Sequence, residues 1–74
     1  MIEKEIETAF YESRRSNELP LVINDAVEIL AGAYKGKRAA VISIRSVEPE
    51  LVYNVEFGDG SGDASLAATL LKRI

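Results

Sequence analysis

Asp25-Ala-Val-Glu-Ile-Leu-Ala-Gly-Ala-Tyr-Lys-Gly-Lys-Arg-Ala-Ala-Val-Ile-Ser-Ile44 reads as a strand, a basic loop punctuated by two glycines, and a second strand. Val27 and Ile29 fall on one face of the first strand and Glu28 and Leu30 on the other, the alternation of a half-buried strand. Gly32 and Gly36 bracket the turn. In the second strand, Ala39 to Val47, the apolar positions change parity between Val41 and Ile44. A bulge or strong bend accounts for such a change, as where a sheet curls into a small barrel.

Downstream, Leu51, Tyr53, Val55 and Phe57 alternate with Val52, Asn54 and Glu56, the cleanest strand pattern in the chain. Glu48-Pro49-Glu50 and Gly58-Asp59-Gly60-Ser61-Gly62-Asp63 are turns. For Ala64 to Ile74 the expectation is a short strand, one helical or 3₁₀ turn near Ala67 to Leu70, and a closing strand at Lys72 to Ile74. A helix from Ser65 to Lys72 is the competing reading. Short strands with frequent turns predict a mainly β domain. Closure into a barrel is preferred because an open sheet in so short a chain leaves apolar edges unpaired.

Upstream, Leu19-Pro20-Leu21-Val22-Ile23 is an apolar extended segment, expected as a strand or strap over one end of the core. Residues 2–17 have helical periodicity: Ile2, Ile6 and Phe10 form a narrow apolar stripe with Ala9 beside it. Glutamates cluster in the first turns and Arg14 and Arg15 follow, both favourable to a helix dipole, and Pro20 forbids continuation. The expected organisation is an N-terminal amphipathic helix over residues 1–18 and a barrel of about five strands over residues 19–74. The stripe Ile2, Ile6, Phe10 has three candidate uses: packing on the chain's own barrel, a homodimer contact, or capture of another protein.

Composition narrows the chemistry. The 74 residues include no cysteine and no histidine, which removes disulfides, thiolate zinc sites and the usual base for a serine nucleophile. No catalytic, cofactor or metal residue is assigned, and a non-enzymatic role is expected. Asp59, Ser61 and Asp63 copy alternate positions of a calcium loop, but Ala64 and Leu70 stand where that loop needs glycine and glutamate. Glu48 and Glu50 have no neighbour in sequence that would split their pKa values for acid–base work. The acidic opening, Met-Ile-Glu-Lys-Glu-Ile-Glu, lacks the apolar core of a signal peptide. No apolar run is long enough to span a bilayer. A cytoplasmic protein without membrane contact is the expectation.

Net charge is −3, so nucleic-acid binding requires a local basic patch. The candidate is Tyr34, Lys35, Lys37 and Arg38. These cations and the aromatic suit an acidic protein surface or phosphates with a stacked base; as a plain turn they serve solubility.

The run Val27-x-Ile29-x-x-Gly32-x-Tyr34-Lys35-Gly36-Lys37-x-Ala39-x-Val41 resembles the KOW motif of SH3-like barrels in ribosomal and transcription-elongation proteins, with Ala39 where that pattern has its second glycine. Tyr53-x-Val55-x-Phe57, the glycine turn and the terminal Leu-Leu-x-x-Ile are also similar to small accessory barrels. Among these are the photosystem I accessory subunit, the variable chain of ferredoxin–thioredoxin reductase and the C-terminal barrel of the nitrile hydratase β-subunit. The resemblance covers residues 24–74. It implies an SH3-like barrel that docks on a protein partner as an accessory subunit, or, in the KOW reading, binds RNA or the ribosome.

Overall fold

The structure, a computed structural model, describes residues 2–74. Helix α1 spans Lys4–Tyr11, and five strands follow: β1 Ala26–Ile29, β2 Arg38–Ser46, β3 Val52–Phe57, β4 Asp63–Ala67 and β5 Leu71–Arg73. A 3₁₀ turn, Ala68–Leu70, joins the last two strands. All pairings are antiparallel, in one sheet of order β4-β3-β2-β1-β5. The fold is therefore mainly β, a small barrel-like sheet with an N-terminal helix, as the strand and turn pattern predicts, but the end strands β4 and β5 do not pair with each other, so both edges stay open. Its Cα radius of gyration is 11.5 Å, against about 11 Å for one domain of this length, so the helix lies against the sheet.

The alternations expected from sequence set the core. Val27, Ile29, Val41, Tyr53 and Val55 are fully buried, and Phe57, Ala39 and Leu71 nearly so. Complete burial of side chains of this kind is worth about 1.5–3 kcal/mol each. Strand β2 carries the bend: its register against β3 shifts between Val41 and Ser43 and again between Ile44 and Ser46. Those irregularities let Arg38–Ala40 pair with β1 while the whole strand runs along β3. Ala39 sits inside β2 opposite Val27 and Phe57 with an ordinary negative φ; Gly32 and Gly36, at φ +88° and +87°, supply the left-handed turns.

The C-terminal segment follows the strand–turn–strand reading, and the Ser65–Lys72 helix does not form. Both β3 and β1 have an open side that only this segment fills. Ala64 and Leu66 pair with Val55 and Tyr53, and Leu71 with Ile29. Leu19, Leu21 and Val22 are buried in an extended strap over one end of the barrel, as expected.

The helix is shorter than the predicted 2–17. Beyond Phe10 the positions that would continue the apolar stripe are Ser13 and Arg14, which have nothing to bury. The helix ends in a Schellman arrangement: Ser13 N–H donates to Phe10 O (3.2 Å) and Arg14 N–H to Ala9 O (2.8 Å). Ser13 takes φ +60°, the left-handed conformation usually given to glycine at this place. Arg14 and Arg15 thus lie past the helix, and its last turn carries no basic residue. Glu5 and Glu7 in the first turn do complement the dipole.

A left-handed serine costs about 1 kcal/mol or more, against about 0.5–1 kcal/mol for the extra freedom glycine loses. Ser13→Gly is therefore expected to leave stability unchanged or raise it by up to about 1 kcal/mol, roughly 4–8 °C in Tm. Ser13→Val, β-branched in the same conformation, lowers it. Thermal unfolding followed by circular dichroism checks both.

Candidate functional site

The β1–β2 loop, residues 30–37, is closed at its base by Ile29 N–H donating to Lys37 O (2.9 Å) and Gly36 N–H to Ile29 O (2.8 Å). This brings the basic loop against the glycine turn between β3 and β4. The Tyr34 ring lies 4.8 Å from the Phe57 ring, tilted by 41°. Lys37 Nζ sits 5.1 Å from the centre of the same ring, 3.1 Å from Asp59 Oδ2 and 3.4 Å from Ser61 Oγ. Ser61 N–H donates to Asp59 Oδ1 (2.9 Å). The hydroxyl and amide of Ser61, then the Lys37 ammonium, bring the Asp59 carboxyl down to about 2.

Two sequence features read separately are thus one structure. Tyr34 and Lys37 cover Phe57, which is only 5% exposed, and close one mouth of the barrel. Asp59 and Ser61 hold Lys37 in place. Among the described residues, no group of three or more acidic side chains is placed to hold an ion. Of the four candidate loop residues, Tyr34 remains 38% exposed, and Lys35 and Arg38 are exposed with no ion pair among the described residues. Lys37 is internally compensated, so the free positive charge of the loop is two rather than three.

The sheet register extends this surface. Glu28 on β1 lies opposite Arg38 of β2 on one side and Lys72 of β5 on the other, a cation–anion–cation row on the outer face. Leu30, 42% exposed, follows directly on β1. Sequence separation hid this row: Lys72 joins it only through the β1–β5 pairing.

The stripe Ile2, Ile6, Phe10 is divided by the fold. Phe10 belongs to the chain's own core, stacked on Tyr53 with ring centres 6.1 Å apart; a partner could reach only the half-buried Ile2 and Ile6. Those two, with Leu19 and Val47, floor an open groove of about 1140 Å³ between α1 and the β2–β3 turn, lined also by Glu3, Glu5, Glu7, Glu18, Glu48 and Arg45. Glu50 lies at the turn itself, where its carbonyl accepts the Ser46 hydroxyl (2.9 Å).

Sequence reasoning missed the polar groups that fasten the strap. Asp25, 7% exposed, accepts Val22 N–H (2.9 Å) and Arg15 Nε–H (3.2 Å) on Oδ2, and the second Arg15 nitrogen on Oδ1. Burial alone would raise the Asp25 carboxyl; the Arg15 hydrogen bonds, the Val22 amide and the charges of Arg15 and Arg73 outweigh it and hold it below its ordinary value of 3.8. Asn24-Asp25 signals a turn, but nothing in the sequence links Asp25 to an arginine ten residues earlier.

A carboxylate whose folded pKa is depressed stabilises the fold fully above the unfolded value and loses that contribution as pH falls through the folded one. Stability is therefore expected to drop as pH falls below 3.8, with the Asp59 contribution lost between 3.8 and about 2. Asp25→Asn lowers stability at neutral pH and flattens the acid limb of the profile. Denaturant unfolding at a series of pH values tests this.

No protein-family model, no curated protein and no solved structure matches the chain.

Proposed function

We propose that the chain is a non-enzymatic docking module, an accessory barrel that binds an acidic protein surface through the β1–β2 loop and the adjoining outer face. The observation that carries this reading is the grouping, on one braced loop and its sheet, of exposed Leu30 and Tyr34 with Lys35 and Arg38. Aromatic and arginine side chains are the usual anchors of protein interfaces, and a braced loop has little freedom to lose on binding. Rim cations such as Lys35 and Lys72 steer an acidic partner and favour it over a basic one. The sheet order, the bent β2 and the 3₁₀ turn before the last strand support the SH3-like, KOW-like resemblance. RNA is the weaker reading because Asp59 neutralises Lys37 and sets a carboxylate beside the loop.

Purification from the native cell under gentle conditions is expected to yield a stoichiometric protein partner that Lys35→Glu/Arg38→Glu releases. A solitary protein, or a partner that both forms retain, contradicts the docking face. Salt-sensitive binding of single-stranded RNA, abolished by the same pair of substitutions, would move the assignment to the KOW-type reading.

A further inference from the structure

Strand β4 is one end of the sheet. Its pairing with β3 is bracketed by Phe57 N–H donating to Gly62 O and Ala68 N–H to Leu51 O, both 2.9 Å. Antiparallel hydrogen-bonded pairs recur every second residue, so Ala64 and Leu66 turn their backbone groups toward Val55 and Tyr53. The N–H and C=O groups of Asp63 and Ser65 and the N–H of Ala67 therefore point away from the sheet, and among the described residues none of these has a backbone partner. The Ala67 C=O, at the N-cap of the 3₁₀ turn, already accepts the first hydrogen bond of that turn. Natural edges are usually blunted by lysine, proline, a bulge or short length. The opposite edge, β5, is three residues long and carries Lys72 and Arg73. Strand β4, Asp-Ala-Ser-Leu-Ala, has five residues and regular register, with no proline, lysine or bulge, and its one charged residue, Asp63, lies at its end.

We infer that β4 is a self-association edge, pairing antiparallel with β4 of a second copy about a two-fold axis at Ser65. Centring the axis there sets Ser65 opposite Ser65 and Asp63 opposite Ala67 of the other copy. Ser65 then pairs through both of its backbone groups, and the Ala67 N–H with the Asp63 C=O of the other copy. The two Asp63 carboxylates are kept at opposite corners, so no like charges face one another across the strands. Side chains on the outer face agree with this centre. Ser65 Oγ donates to Asn54 Oδ1 (2.6 Å), and Asn54 Nδ2 donates to Ser43 Oγ (2.7 Å), an uncharged polar row across β2, β3 and β4 that ends at the edge. The second copy continues it as a mirror sequence, and the interface is isologous and closed. Of the helix stripe, Phe10 is in the core, which leaves only the half-buried Ile2 and Ile6 for such a contact.

Because each copy carries −3, long-range charge opposes the dimer, and added salt strengthens it. Sedimentation equilibrium over a concentration series is expected to show the mass rising from 8.1 kDa toward twice that value, with a dissociation constant on the order of 100 µM for so small an interface. Hydrogen exchange at the Ser65 and Ala67 amides slows over the same range. Ser65→Pro removes an outward N–H that the sheet does not use, and Ser65→Lys sets two cations face to face at the axis. Each holds the protein at 8.1 kDa. If proline disturbs the fold, the lysine variant, checked for an unchanged melting curve, decides. A mass of 8.1 kDa in the wild type up to about 1 mM, or a dimer that persists in the folded lysine variant, overturns the inference.

Discussion

The Tyr53 hydroxyl is the point on which the assembly of helix, strap and barrel turns. It donates to Leu21 O (2.7 Å) and accepts Leu21 N–H (3.2 Å), so one side chain satisfies both backbone groups of a strap residue that has no strand neighbour. Left unpaired, buried groups of this kind cost about 1–3 kcal/mol each. The ring beneath the hydroxyl is the platform for Phe10, and Ile23 N–H returns to Phe10 O (3.3 Å). Burial raises the pKa of the phenol, which keeps it a donor across the ordinary pH range. Asp25 and Arg15 fasten the same strap from its far end.

Strand β3 thereby governs both mouths of the barrel. Of its inward residues, Tyr53 is closed over by the strap and helix, Val55 fills the middle, and Phe57 is closed over by Tyr34 and Lys37. This arrangement limits where a partner can bind. Residues that close the barrel are tied into its stability, which leaves the outer face around Arg38, Glu28 and Lys72, the exposed side of Tyr34, the groove beside α1 and the edge of β4 as accessible surface. The acidic residues of the groove and the cations of the β1–β2–β5 face leave a protein of small net charge with distinct poles.

Much of the fold was legible because local pattern and tertiary demand agreed. Val27 and Ile29, the parity change in β2 and the alternation through Tyr53 to Phe57 all follow from a sheet with one buried face. The interrupted last strand was readable for the same reason, although the same segment also allowed a helix. What escaped were relations between distant residues. The basic loop looked like three free cations until the fold placed Asp59 beside Lys37. The length of α1 depended on a left-handed serine, a conformation that residue identity does not announce. Ala39 marked a departure from a motif, yet in the strand it is an ordinary buried residue that needs no special φ. Alternation puts Tyr53 on one face of its strand with Val55 and Phe57, but no periodicity tells where a hydroxyl points.

The most direct test of the central role of Tyr53 is the stability of Tyr53→Phe, measured by denaturant unfolding together with hydrogen exchange at the strap. The ring remains to stack on Phe10, and only the two hydrogen bonds to Leu21 are lost. The expected result is a loss of about 2 kcal/mol or more with faster exchange at Leu21 and Ile23. A variant within about 0.5 kcal/mol of the wild type, with strap protection unchanged, would contradict the account.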